Sequence, residues 1–210
     1  MNPVVGWDTF FNAGFRCGST VIGNVEAGSV WNGHEAFVRA PGAANGITAY
    51  QNTADGALNE VDFHATVVGH VLAGSGYVPT NGGAYTYSGL GMAPDVALVS
   101  GAVATEFSTT DVRSFNTTEQ SVVKVYKSFF QGTGVAKPDV INSSWGGSDP
   151  SAVAAASVAI DGLARQNASV AFLSSRLAIV KRHRISTTSP SVPWEVGFPS
   201  AVLVFITRSR

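Results

Sequence analysis

A single cysteine, Cys17, stands in 210 residues, so no intrachain disulfide can form and no cysteine cluster has the spacing of a metal site. Charged side chains are also scarce, at 13% of the chain, with 13 basic residues against 14 acidic ones and a net charge of −1. So weak a field recruits neither nucleic acid nor an anionic membrane, and neither is an expected partner. No apolar run approaches the ~18 residues that a membrane-spanning helix needs. The opening MNPVVGWDTFFNAGF has neither the basic n-region nor the apolar core of a signal peptide. Glycine-rich turns of the dinucleotide type, GxGxxG, or the Walker type, GxxxxGKS/T, do not occur, which argues against a nucleotide-binding domain.

What is present is a compact composition: 45% hydrophobic residues and 23 glycines, enough for one domain with many tight connections. The stretch HATVVGHVLAG, residues 64–74, organises the rest. Val67, Val68, Val71 and Leu72 fall at helical spacing from His64, predicting an apolar stripe toward a core with the histidine at its mouth. Asp62 is the candidate N-cap, and Ala65, Gly69, Ala73 and Gly74 suit close packing on a sheet. Segments 41–62 and 74–91 read as irregular loops. Ser19–Glu26 and Val96–Val103 read as buried strands, as do Asp139–Ser143 and Val170–Leu173. Between them, 117–131 carries a stripe of Val122, Val125, Tyr126, Phe129 and Phe130, with Asn116 or Thr117 as cap and Gly132 as stop. Residues 151–167 form an alanine-rich helix with Pro150 at its first turn. This alternation predicts an α/β fold, a parallel β-sheet with helices on both faces.

Three ordered motifs resemble blocks of the subtilisin-like serine proteases, the subtilases. They are His64-Ala65-Thr66-x-Val68-Gly69, then GMAPDVALVSGAV from Gly91 to Val103, then PDVINSSWGG from Pro138 to Gly147. Upstream, VIGNVEAGSVWNGHEAF resembles the block that carries the family's Asp-Thr-Gly, with Glu26-Ala27-Gly28 in its place. The resemblance implies that 1–175 is the N-terminal part of a subtilase-like catalytic domain, incomplete as a subtilisin-like sheet. It also implies a protein or peptide substrate, an exported monomer and structural calcium; no other cofactor is evident. Residues 176–210 read as a divergent or frame-shifted basic tail, with Arg176, Lys181, Arg182, Arg184, Arg208 and Arg210 beside one acid, Glu195.

The activity implied is serine-type endopeptidase chemistry, which needs a nucleophile, a base, a carboxylate to orient the base and donors for the oxyanion. By resemblance His64 is the base and Glu26 its orienting carboxylate. Ser144, Trp145 and Gly146, at the end of a buried strand, lend backbone to an extended substrate and wall the pocket before the cut. His34, in NGHEAF, reads as structural. The bland alternatives are a satisfied core histidine, a strand-end acid and an ordinary strand-to-helix turn. Two parts of the family pattern have no counterpart: no Ala-Gly-Asn run follows VAFL, and no Gly-Thr-Ser-x-x-x-Pro string occurs. A chain without them is expected to hydrolyse peptides negligibly. A non-catalytic peptide-binding relative, or an inactive fragment, is the competing reading.

Overall fold

The computed structural model describes residues 6–39, 46–52, 60–79, 85–87, 89–108, 115–133, 136–146, 155–167 and 170–173. The basic segment 176–210 and the start of the 151–167 helix lie outside them. In chain order the elements are α1 (Trp7–Asn12), β1 (Val21–Glu26), a 3-10 turn (Glu35–Phe37), β2 (Ile47–Asn52), α2 (Phe63–Ala73), β3 (Tyr77–Pro79), β4 (Tyr85–Tyr87) and β5 (Ala97–Ala102). There follow β6 (Glu106–Phe107), β7 (Phe115–Asn116), α3 (Glu119–Gln131), β8 (Val140–Ser143), α4 (Ala155–Asn167) and β9 (Val170–Leu173).

Five strands form one sheet in the order β2-β5-β1-β8-β9, every pair parallel. The α/β expectation therefore holds. β1 is central, and the alternation along it decides what each face receives. Val25, with Val99 from β5, packs under Val122, Val125, Tyr126 and Phe129 of α3 and Ile160 of α4. Ile22 and Leu98 point to the opposite face, against Ala65, Leu72 and Ala73 of α2. Glu26 has the parity of Ile22, so the same alternation puts its carboxylate on the α2 face.

Helix α2 approaches the sheet through small side chains, and this corrects the expected stripe. Ala65, Gly69, Leu72 and Ala73 are buried, whereas Val67 and Val71 are 44% and 53% exposed. A Cβ on Gly69 would sit 3.2 Å from Val30 and 3.3 Å from Phe37, leaving no room for a branched residue on this side. Val67 lies about 200° round the helix from Ala65 and so faces away. Size, not hydrophobicity, set the rotation of the helix.

Two loop expectations also change. Segment 41–62 contributes the edge strand β2, and 74–91 contains the antiparallel hairpin β3–β4. Both segments hold strand-forming residues, Ile47, Thr48 and Tyr50 in β2 and Tyr77, Val78, Tyr85, Thr86 and Tyr87 in the hairpin, set among the Gly and Asn that read as loop. Helix α3 starts two residues later than expected: Thr118, not Asn116 or Thr117, caps it by accepting the Ser121 N–H at 3.1 Å. Gly132 closes it in the left-handed conformation, φ 70°.

Candidate active site

Glu26 ends the central strand with a fully buried side chain. Beyond it the chain turns at Gly28, where a Cβ would lie 2.7 Å from the Asp62 Cβ and 2.9 Å from the Glu60 carbonyl oxygen. That missing side chain lets the 60–62 segment run beside Ser29. The Ser29 N–H donates to Glu60 O and the Asp62 N–H to Ser29 O, both at 2.8 Å. Asp62 is thereby delivered to the head of α2. Its carboxylate accepts the N–H of His64 at 3.1 Å and of Ala65 at 3.0 Å, as the sequence led one to expect. Thr66 Oγ1 adds a bond to Asp62 O at 2.8 Å.

The cap places His64 over the strand end. Its Nδ1 lies 3.2 Å from Glu26 Oε2, with the imidazole side chain 54% exposed and the carboxylate wholly buried. Oε2 accepts no hydrogen bond of regular geometry, so the contact is an ion-pair approach. The other oxygen, Oε1, accepts the Ser144 N–H at 2.8 Å. An ionised carboxylate only accepts, so with Glu26 ionised this approach favours the tautomer with the proton on Nδ1. A glutamate thus spans the strand-end position with one oxygen for each partner.

The electrostatics follow from burial and pairing. Burial raises the Glu26 carboxyl above the ordinary range, opposed by the imidazole and by the Ser144 N–H. His64 is raised by the Glu26 carboxyl beside its ring, against a smaller opposing effect of its own partial burial. The carboxylate holds the imidazole basic, which suits a proton acceptor.

Ser144, Trp145 and Gly146 continue β8 as an irregular segment, Gly146 exposed and the other two half-buried. The Trp145 indole donates to Val25 O at 2.9 Å and meets Phe115 edge to face at 5.7 Å. Its ring therefore braces the sheet, and what the segment can offer a ligand is mainly backbone. His34 accepts the Ala36 N–H on Nδ1 at 3.1 Å and caps the 3-10 turn, the structural part expected of it. A groove of about 370 Å³ runs along the outer side of α2 past Phe63, Val67 and His70, but neither Glu26 nor His64 lines it. The Glu26–His64 pair, with its shifted proton affinities, thus lies outside that groove.

Reasoning from sequence missed Asn24 and Asn142. Asn24 is completely buried and Asn142 9% exposed, opposite each other on β1 and β8. Their signal was legible: an amide side chain in an otherwise apolar strand must find a partner. Among the described residues no group of three or more His, Cys, Asp or Glu side chains is gathered to hold a metal, and structural calcium remains only what the resemblance implies.

No family model matches the chain, and no curated protein does. Among solved structures, the CspB protease of Clostridium perfringens is similar with a TM-score of 0.54 at 13% identity, over 79% of this chain and 38% of that one. The chain thus spans well under half the length of that protein. At such identity the likeness is one of fold, and the chain shares its α/β architecture with part of a clostridial protease.

Proposed function

We propose that this chain carries the base-bearing part of a serine endopeptidase site of the subtilisin-like class. The observation that supports it is the Glu26–His64 approach, 3.2 Å at the open end of a parallel sheet, with Ser144 on the same carboxylate. In this reading an extended peptide lies along 144–146 and is held by backbone hydrogen bonds. His64 Nε2 takes the proton of an attacking hydroxyl, and Glu26 holds the tautomer and stabilises the imidazolium that forms. Export, a monomeric state and a protein or peptide substrate belong to the same proposal.

The second reading is a peptide-binding relative without hydrolysis, favoured by the absence of the Gly-Thr-Ser-x-x-x-Pro and Ala-Gly-Asn strings from these residues. Both readings share the docked peptide and the basic imidazole, so one experiment tests what they share. A peptidyl chloromethyl ketone alkylates a basic imidazole nitrogen beside its binding groove. Peptide mapping after treatment should show His64 modified ahead of the other three histidines, His34, His70 and His183, and protection by an excess of unreactive peptide. Equal modification of all four would remove both readings. Casein hydrolysis then separates them: activity abolished by His64→Ala would reveal a nucleophile within the chain and eliminate the non-catalytic reading.

A further inference from the structure

The Asn24 and Asn142 side chains belong to neither the base, the carboxylate nor the peptide-binding backbone, yet they lie between all three. Asn142 Nδ2 donates to Asn24 Oδ1 at 3.2 Å and to Ser144 Oγ at 3.2 Å. Asn24 Nδ2 in turn donates to the Ala65 carbonyl, in the first turn of α2, at 3.3 Å. The direction of the chain is fixed, because a carbonyl can only accept and the amide must therefore present its nitrogen to Ala65. Asparagine is a poor strand residue and its burial is costly unless bonded, so two facing amides in a parallel core are not explained by sheet stability.

Each end of this chain sits beside one partner of Glu26. Ser144, whose Oγ is held by Asn142, gives its N–H to Oε1. Ala65, whose carbonyl is held by Asn24, follows His64, whose ring faces Oε2. We propose that Asn24 and Asn142 form a positioning relay that locks the first turn of α2 to the Ser144 segment, and so holds the Glu26 carboxylate between its two partners. The proposal rests on Glu26 and His64 acting as an orienter and its base. Asn24 and Asn142 touch no reacting atom and act through Ser144 and α2.

The test is the proton titration of His64, followed by the NMR signal of its Cε1–H in the full chain, assigned with His64→Gln. Asn24→Leu and Asn142→Leu should each lower the His64 midpoint by about half a pH unit or more, roughly a threefold loss of proton affinity. The double variant should add little to either, since one connected chain is cut twice. A purely structural role would lower the melting temperature and leave the midpoint alone, so folded variants with an unshifted midpoint overturn the proposal. Should the variants not fold, the wild chain still decides. The side-chain amide ¹⁵N signals of Asn24 and Asn142 should shift with the His64 midpoint, and amides indifferent to it refute the relay. Failure of the underlying pair would look different: Glu26→Gln would then leave the His64 midpoint in place.

Discussion

Gly28→Ala is the most informative single change outside the titratable pair. The added methyl carbon would lie 2.7 Å from the Asp62 Cβ, 2.9 Å from Glu60 O and 3.0 Å from the Phe107 ring. Phe107 can swing away, but the other two belong to or adjoin the backbone that runs beside Ser29. Gly28 has no positive φ, so the penalty is steric and not torsional. Overpacking of this kind costs about 1–3 kcal/mol. If the 60–62 segment retreats, Asp62 also leaves the two N–H groups it caps, a further loss of about 1 kcal/mol. The sum, about 2–4 kcal/mol, corresponds to a fall in melting temperature of roughly 5–15 °C for a chain of this size. Gly162→Ala is the control, since its Cβ meets nothing within 4 Å in the middle of α4. There the gain in helix propensity should raise stability by up to about 1 kcal/mol. Calorimetry on both variants measures the difference. A Gly28→Ala chain that melts within about 1 °C of the wild chain would refute the idea that contact between strand end and cap segment positions α2.

Asp62→Ala should cost about 1 kcal/mol by thermal or chemical unfolding, because it strips the acceptor from the His64 and Ala65 N–H groups. Trp145→Phe keeps the ring contact with Phe115 but leaves Val25 O without the indole donor, and should cost about 1 kcal/mol with little change in fold by circular dichroism. The pH dependence has a definite sign. Glu26 and His64 both titrate higher when folded than their ordinary values of 4.5 and 6.5, so the folded state holds those protons more tightly. Their favourable contribution is complete at low pH and fades as pH rises through each folded-state pKa. Glu26→Gln removes the buried charge and keeps an acceptor for Ser144. Its stability relative to the wild chain should therefore increase as pH rises from about 5 to 8 in parallel urea titrations. A gap that narrows with pH would reverse the assignment.

Much of this arrangement is written locally. Four of the five strands of the central sheet, β1, β5, β8 and β9, announce themselves as short apolar runs, and α3 as a clear 3.6-residue stripe, because both signals depend on burial alone. The Asp62 cap is readable for the same reason: an acceptor one residue before a helix has a single use. The rotation of α2 was not readable, since Val67 and Val71 look like core residues until the small Ala65, Gly69 and Ala73 are seen, with Leu72, to form the buried side. Strand β2 was hidden because its short Ile-Thr-Ala-Tyr run sits among Gly, Ala, Asn and Asp that read as loop, and its partner, β5, lies some fifty residues on. At the site, Glu26 and His64 were legible by resemblance and by strand parity. The link between them through Asn24 and Asn142 was not, because it joins residues 118 apart in sequence.

The central claim is that the buried Glu26 carboxylate holds His64 as a basic, oriented imidazole. Its most direct test is the His64 titration in the wild chain and in Glu26→Gln, read by NMR at the ring Cε1–H and, for the tautomer, at the ring nitrogens. The account predicts a wild-type midpoint above the ordinary 6.5 and a proton on Nδ1 in the neutral ring. In Glu26→Gln the midpoint should fall and the tautomer preference should weaken or invert, since the amide presents a donor to Nδ1. A midpoint and tautomer identical in the two chains would contradict it.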